Sequence, residues 1–249
     1  MKKIIILMLA LGLMALTSVS IAAGGSFVNE KAHNNIRSTD SLRRGAKTFM
    51  NYCMGCHSME FQRYNRVAQD LNLTEDEMME SLVLTGAKFP DKMEIAMTEA
   101  QGNKWFGKAG PDLTVIAKAR GVDWLFSYLL NFYQDDNQAN GWNNLTLPNA
   151  AMPHILWEMQ GVQKAVFDTE TDVNGIEHKT FKNFEQVTKG TMTAEEYKDM
   201  SRDLVNFLDY SSEPAKLIRL SYAPWVLLFV SIFTFLAYML KVNYFRDVH

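Results

Sequence analysis

Apolar residues are distributed along the 249-residue chain in three different ways. Ile4 to Leu16 is an unbroken apolar run of 13 residues behind Lys2 and Lys3, followed by small residues around Ser20, Ala22 and Ala23. A run that short falls below the roughly 20 residues that span a bilayer, and with those flanks it has the build of an export leader cut after Ala22. Leu220 to Leu240 carries no formal charge over 21 residues. At ~1.5 Å per residue it covers ~31 Å, the thickness of a hydrocarbon core. The pattern divides the chain into a leader (1–22), an exported domain (23–215) and a transmembrane anchor with a short cytoplasmic tail (216–249). Lys216 and Arg219 on one side and Lys241 and Arg246 on the other leave orientation open, so the leader decides it. Tyr222, Trp225, Tyr238 and Tyr244 stand near the anchor's ends, where interfacial aromatics belong, and Pro224 is expected in its first turn.

Between leader and anchor the apolar positions recur mostly with helical spacing, and no repeat or Pro/Gly-rich linker splits the region. Asp40 or Ser41 is expected to cap an amphipathic helix through Tyr52, and Asp123 to start one from Trp124 to Tyr133. Thr74 with Glu77, and Thr193 with Glu196, form capping boxes, the second opening a helix to about Tyr210. Strand signals are sparse. Lys164 to Val173 and Ile176 to Val187 flank Asn174-Gly175, the pair favoured in a tight hairpin turn. Residues 86–112 and 134–160 read as long irregular segments, which a compact domain wraps around something. The fold class is mainly α, with a small β-hairpin insertion and one C-terminal transmembrane helix.

Charge changes the picture little. With 25 basic and 28 acidic residues the chain is at −3, and cleavage removes Lys2 and Lys3 to leave 23 against 28, or −5. A mildly acidic exported domain does not suit nucleic acid and does suit a basic partner.

The chemistry lies in Cys53-Met54-Gly55-Cys56-His57, which holds both cysteines of the chain. This spacing lets two thiols add to the vinyl groups of one haem while the adjacent histidine reaches the iron. A disulfide or redox dithiol has no use for His57, and structural zinc needs four ligands where no second cysteine pair exists. One pentapeptide means one covalently attached haem c, and the exported part is a c-type cytochrome domain.

The sixth iron position separates electron carriers from peroxide or gas chemistry. Met152 is favoured among 15 methionines, because Ala151-Met152-Pro153 lies in an irregular segment and a proline stiffens a loop that holds a thioether. Met78, Met79, Met159 and Met200 fall in expected helices, where methionine fills core. His154 is the rival ligand, although a histidine beside a loop proline is expected near the surface.

With these residues in hand, the chain resembles cytochrome c1 of bacterial type over nearly its full mature length. The resemblance is carried by Arg44-Gly45-Ala46, Asn51-Tyr52-Cys53, Cys56-His57-Ser58-Met59 and Arg63-Tyr64-Asn65-Arg66-Val67. Gly110-Pro111-Asp112-Leu113, Ala119-Arg120, Asp123 to Leu129 and Ala151-Met152-Pro153 follow in order. It implies thioethers at Cys53 and Cys56, axial ligands His57 and Met152, and Arg120 as partner of a haem propionate. It also implies that Pro111 offers its carbonyl to the free nitrogen of His57, or at least packs on the ring. Trp124 is placed at the propionate edge or in the core.

The same resemblance implies an electron-transfer subunit of the respiratory ubiquinol to cytochrome c reductase. Such a chain makes no substrate bonds itself and is part of an oxidoreductase only within its complex. It would take single electrons from a Rieske iron–sulfur subunit, pass them to a periplasmic cytochrome c, and sit beside a cytochrome b subunit and membrane lipid. The location implied is the bacterial inner membrane, single-pass, with the haem domain facing the periplasm. A haem c subunit of another respiratory complex, and a haem peroxidase or gas sensor, are the competing classes. Asp168, Glu170 and Asp172, with Glu177 and Glu185, are expected to steer a basic cytochrome c.

Overall fold

The computed structural model describes residues 29–171 and 177–246, so the leader and the Asn174-Gly175 turn lie outside the described residues. Helix α1 (Thr39–Thr48) runs into a π-helical turn, Phe49–Cys53. Strand β1 (Met59–Arg63), α2 (Tyr64–Asp70), α3 (Glu75–Ser81), β2 (Lys92–Met93) and α4 (Glu99–Phe106) follow. Next come α5 (Ile116–Arg120), α6 (Val122–Leu130), β3 (Phe132–Gln134), β4 (Trp142–Asn144) and α7 (Trp157–Gln160). Strands β5 (Gly161–Thr171) and β6 (Glu177–Lys189) precede α8 (Ala194–Ser212) and α9 (Ala215–Tyr244).

The core forms where α1 crosses α8. Leu42, Ala46 and Phe49 on one helix and Leu204, Phe207 and Leu208 on the other are buried, and the Phe49 and Phe207 rings stand 5.8 Å apart. Gly45 permits the crossing, since a Cβ there would lie 2.0 Å from the Asp203 carbonyl oxygen. Arg44 then closes the edge with two bonds to the Asp203 carboxylate, at 2.5 and 3.1 Å. Two further buried polar side chains of α8 find backbone or side-chain partners. Asn206 donates to Asn35 O and Ser41 Oγ, and Tyr197 donates to Leu129 O at 2.9 Å.

Both expected capping boxes are present, with Thr74 and Thr193 each accepting from the backbone N–H three residues on. A third occurs at Thr98 and Gln101, so residues 86–112 are not wholly irregular: they hold α4 and the strand that pairs with β1. The segment 134–160 likewise contains β4, paired antiparallel to β3, and the short α7. The helix expected to reach Tyr133 stops at Leu130, because Phe132 to Gln134 pairs with Trp142 to Asn144 instead.

Strands β5 and β6 pair antiparallel from Gly161↔Lys189 outwards as the expected two-stranded hairpin insertion, begun three residues earlier than the sequence indicated. It carries charges of both signs. Lys164 stands opposite Glu185, and Lys182 donates to Asp168 at 3.1 Å, so these two acids are offset by lysines.

Helix α9 is 30 residues long, its most apolar window has a mean hydropathy of 2.0, and none of it is buried against the domain. It is the single C-terminal span. The helix starts at Ala215, so Pro224 lies in its interior and not in its first turn. Glu213, at the junction, takes bonds from Lys118 and Arg219, and Lys216 reaches Asp209 at 3.1 Å.

Candidate functional site

The π-helical turn ends on Cys53, and its wider winding is closed by Met54 N–H donating to Phe49 O at 3.0 Å. Turns of this kind interrupt helices at functional positions. Cys56 and His57 N–H both return to Cys53 O at 3.0 Å, curling the pentapeptide into a compact turn. Cys53 and Cys56 form no disulfide with each other. Burial, and then the neighbouring Cys56, pushes the Cys53 thiol up to about 12, and burial also raises Cys56.

His57 Nδ1 lies 2.8 Å from Pro111 O. A carbonyl only accepts, so Nδ1 carries the proton and Nε2 keeps its lone pair for a metal. Burial lowers the His57 pKa, against the opposing pull of the Pro111 bond and Asp112, which favours the neutral ring that ligation requires. Gly110 lets the loop approach this ring. A Cβ there would stand 2.5 Å from Cys56 O and 3.0 Å from His57 Cε1.

Two thiols, an imidazole with a fixed tautomer and an open Nε2, and a loop in van der Waals contact with its edge fit a covalent haem c. Among the described residues, no three His, Cys, Asp or Glu side chains converge as a bare metal ion would need.

Met152 is half-buried in the loop between β4 and α7. That loop is attached through rings. His154 stacks on Phe132 at 4.9 Å and meets the edge of Trp142 at 5.1 Å. Phe132 touches Tyr128 at 4.9 Å, Tyr128 stacks on Trp124 at 5.2 Å, and the Arg120 guanidinium sits 5.1 Å over Trp124. His154 is therefore 3 % exposed and not near the surface, since Phe132 and Trp142 close over it from β3 and β4. Burial lowers its pKa to about 4, opposed by Gln160, and its Nε2 has no hydrogen-bond partner among the described residues. A buried neutral ring between two aromatics is a packing element, and the side chain that sequence reasoning missed here.

Arg120 is exposed and makes no ion pair among the described residues, so its cation is available to an anionic group. The structure joins His57 to Pro111 directly and Arg120 to the Met152 loop through the ring series. No single hydrogen bond or ring contact joins the two sets among the described residues.

The "Cytochrome C1 family" model matches residues 31–248. The chain belongs to the cytochrome c1 family. Among its relatives, cytochrome c1 of Allochromatium vinosum is 42 % identical over 249 residues, covering 100 % of both chains. The ammonia monooxygenase gamma subunit of Nitrosomonas europaea is 41 % identical over 241 residues, 97 % of each chain. Cytochrome c1 of Blastochloris viridis is 26 % identical, over 83 % of this chain and 80 % of its own. Family membership makes a haem c subunit with a single C-terminal span the frame in which the pentapeptide is read.

Proposed function

We propose that the chain is the haem c electron-transfer subunit of a quinol to cytochrome c reductase, receiving single electrons from a Rieske centre and delivering them to a periplasmic cytochrome c. The observation that carries the reading is His57, its Nδ1 fixed by Pro111 O at 2.8 Å, inside a pentapeptide within a family match over residues 31–248. When bound, the haem supplies a one-electron iron couple and no substrate bond changes.

The residues have distinct tasks. Cys53 and Cys56 hold the group by thioethers, so it is not lost from an extracytoplasmic domain. His57 and Met152 would ligate the iron, and a thioether paired with imidazole would give a higher potential than two imidazoles and leave no position for exogenous ligands. Pro111 orients His57. Arg120, held over Trp124, offers its charge to a propionate. At the junction with α9, Glu213 pairs with Lys118 of the domain and Arg219 of the anchor. Residues 1–22 export the domain, which places it on the periplasmic face of the inner membrane with cytochrome b and lipid around α9.

The name of the Nitrosomonas relative attaches that protein to a different complex. Purification of the membrane complex through a tag on this chain discriminates. Copurification of a cytochrome b and a Rieske protein, with quinol-driven reduction of a soluble cytochrome c, supports the proposal. Copurification with monooxygenase subunits, or carbon monoxide binding to the reduced chain at neutral pH, contradicts it.

A further inference from the structure

The loop that meets His57 is itself tied down, and the residue that ties it has no part in the assignments above. Pro111 and Asp112 share a peptide, so the direction of the Pro111 carbonyl depends on what fixes Asp112. Asp112 Oδ2 accepts from the N–H of Glu60, three residues beyond His57, at 2.8 Å, and Oδ1 accepts from Thr114 N–H at 2.9 Å. Leu113 N–H donates to Ser58 O at 2.9 Å between them. The segments 57–60 and 111–114 are thus laced together, the Asp112 carboxylate supplying one bond across, to Glu60, and a second that folds its own segment back through Thr114. Those bonds fix the Asp112 end of the peptide whose carbonyl faces His57.

We infer that Asp112 is a positioning residue for the proximal ligand: it holds the Pro111 carbonyl on His57 Nδ1, and its negative charge beside that imidazole lowers the reduction potential below what the axial pair alone sets. The inference rests on the haem reading of Cys53, Cys56 and His57. Two effects act in one direction. A fixed acceptor on Nδ1 makes the imidazole a stronger donor to iron, and a nearby negative charge favours the more positive, oxidised centre. The charge lies close to the ring, since Asp112 directly follows the proline whose carbonyl meets His57 Nδ1 at 2.8 Å. Other acids of the neighbourhood are directed elsewhere. Asp91 accepts from Lys88 N–H at 2.8 Å, and Glu94 pairs with Lys92 at 3.2 Å.

The test is the midpoint potential of the haem in the purified membrane complex for the parent, Asp112→Asn, Asp112→Glu and the control Asp91→Asn. Asp112→Asn is expected to raise it. At the parent's midpoint the reduced-to-oxidised ratio becomes about 3 to 10 in place of 1, a tenfold change being ~59 mV for one electron. Asp112→Glu keeps the charge and moves it by one methylene, so its midpoint falls between the two. It also carries the test should the asparagine variant not assemble. If neither Asp112 variant rises above Asp91→Asn, or the glutamate variant rises as far as the asparagine one, the inference is overturned. Acid-solvent extraction of the parent keeps the two readings apart. Haem that washes out overturns the attachment site and this inference with it, whereas retained haem with an unmoved midpoint overturns this inference alone.

Discussion

His57 and Met152 stand on loops secured by different forces. Around His57 the holding is polar and directional: Pro111 O on Nδ1, Asp112 on Glu60 N–H, and Leu113 N–H on Ser58 O. Around Met152 it is apolar and cumulative: His154 lies between Phe132 and Trp142, and the contacts pass through Tyr128 and Trp124 to Arg120. Hydrogen bonds fix a ring's tautomer and rotation, which an imidazole ligand needs. Ring packing fixes only where a loop sits, which is sufficient for a thioether on a flexible side chain. The polar side should therefore respond sharply to small geometric changes, and the ring side to lost volume.

The largest effect is expected at Gly110. Gly110→Ala puts a Cβ 2.5 Å from the Cys56 carbonyl, and since backbone must move, about 2–3 kcal/mol of stability and much of the haem content should be lost. Thermal unfolding and the haem-to-protein ratio check this. On the ring side, His154→Ala empties a space between two aromatics and should cost about 2 kcal/mol by the same melt, with haem retained.

His154→Phe is expected to go the other way. It keeps the stack on Phe132 and removes the unpartnered buried Nε2, so stability is equal to the parent or up to about 1 kcal/mol higher. A variant as unstable as His154→Ala would mean that His154 has a polar partner in the assembled protein. The smallest effect concerns Asp135 at the foot of the same loop. Bonds from Asn143, and then Asn137, hold its carboxyl below the ordinary 3.8. The folded form is the weaker proton binder, so this stabilisation is complete above about pH 3.8 and is lost as pH falls through the lowered value. Asp135→Asn should therefore flatten the acid limb of a pH series of melts.

The two sides were unequally legible in the sequence. The pentapeptide, the capping boxes at Thr74 and Thr193, and the apolar run of the anchor are local signals, and each has its structural counterpart. Thr98 and Gln101 carry the same capping signal, overlooked because Gly102 and Gly107 make α4 look like loop. The π-helical turn has no sequence mark, since it arises from how α1 must deliver Cys53. His154 read as a surface histidine because the rings that bury it come from β3 and β4, and pairing over that distance is not written locally. Residues 120, 124, 128 and 132 follow an i, i+4 spacing that does foreshadow the ring series.

The central claim is that imidazole and thioether hold one iron from its two faces. Its most direct test is the absorption spectrum of the oxidised chain beside that of Met152→Leu, followed by addition of carbon monoxide to both after reduction. The account predicts a methionine-to-iron charge-transfer band in the parent alone, and carbon monoxide binding in the variant alone. A band that survives in Met152→Leu, or a parent that binds the gas readily, would contradict it.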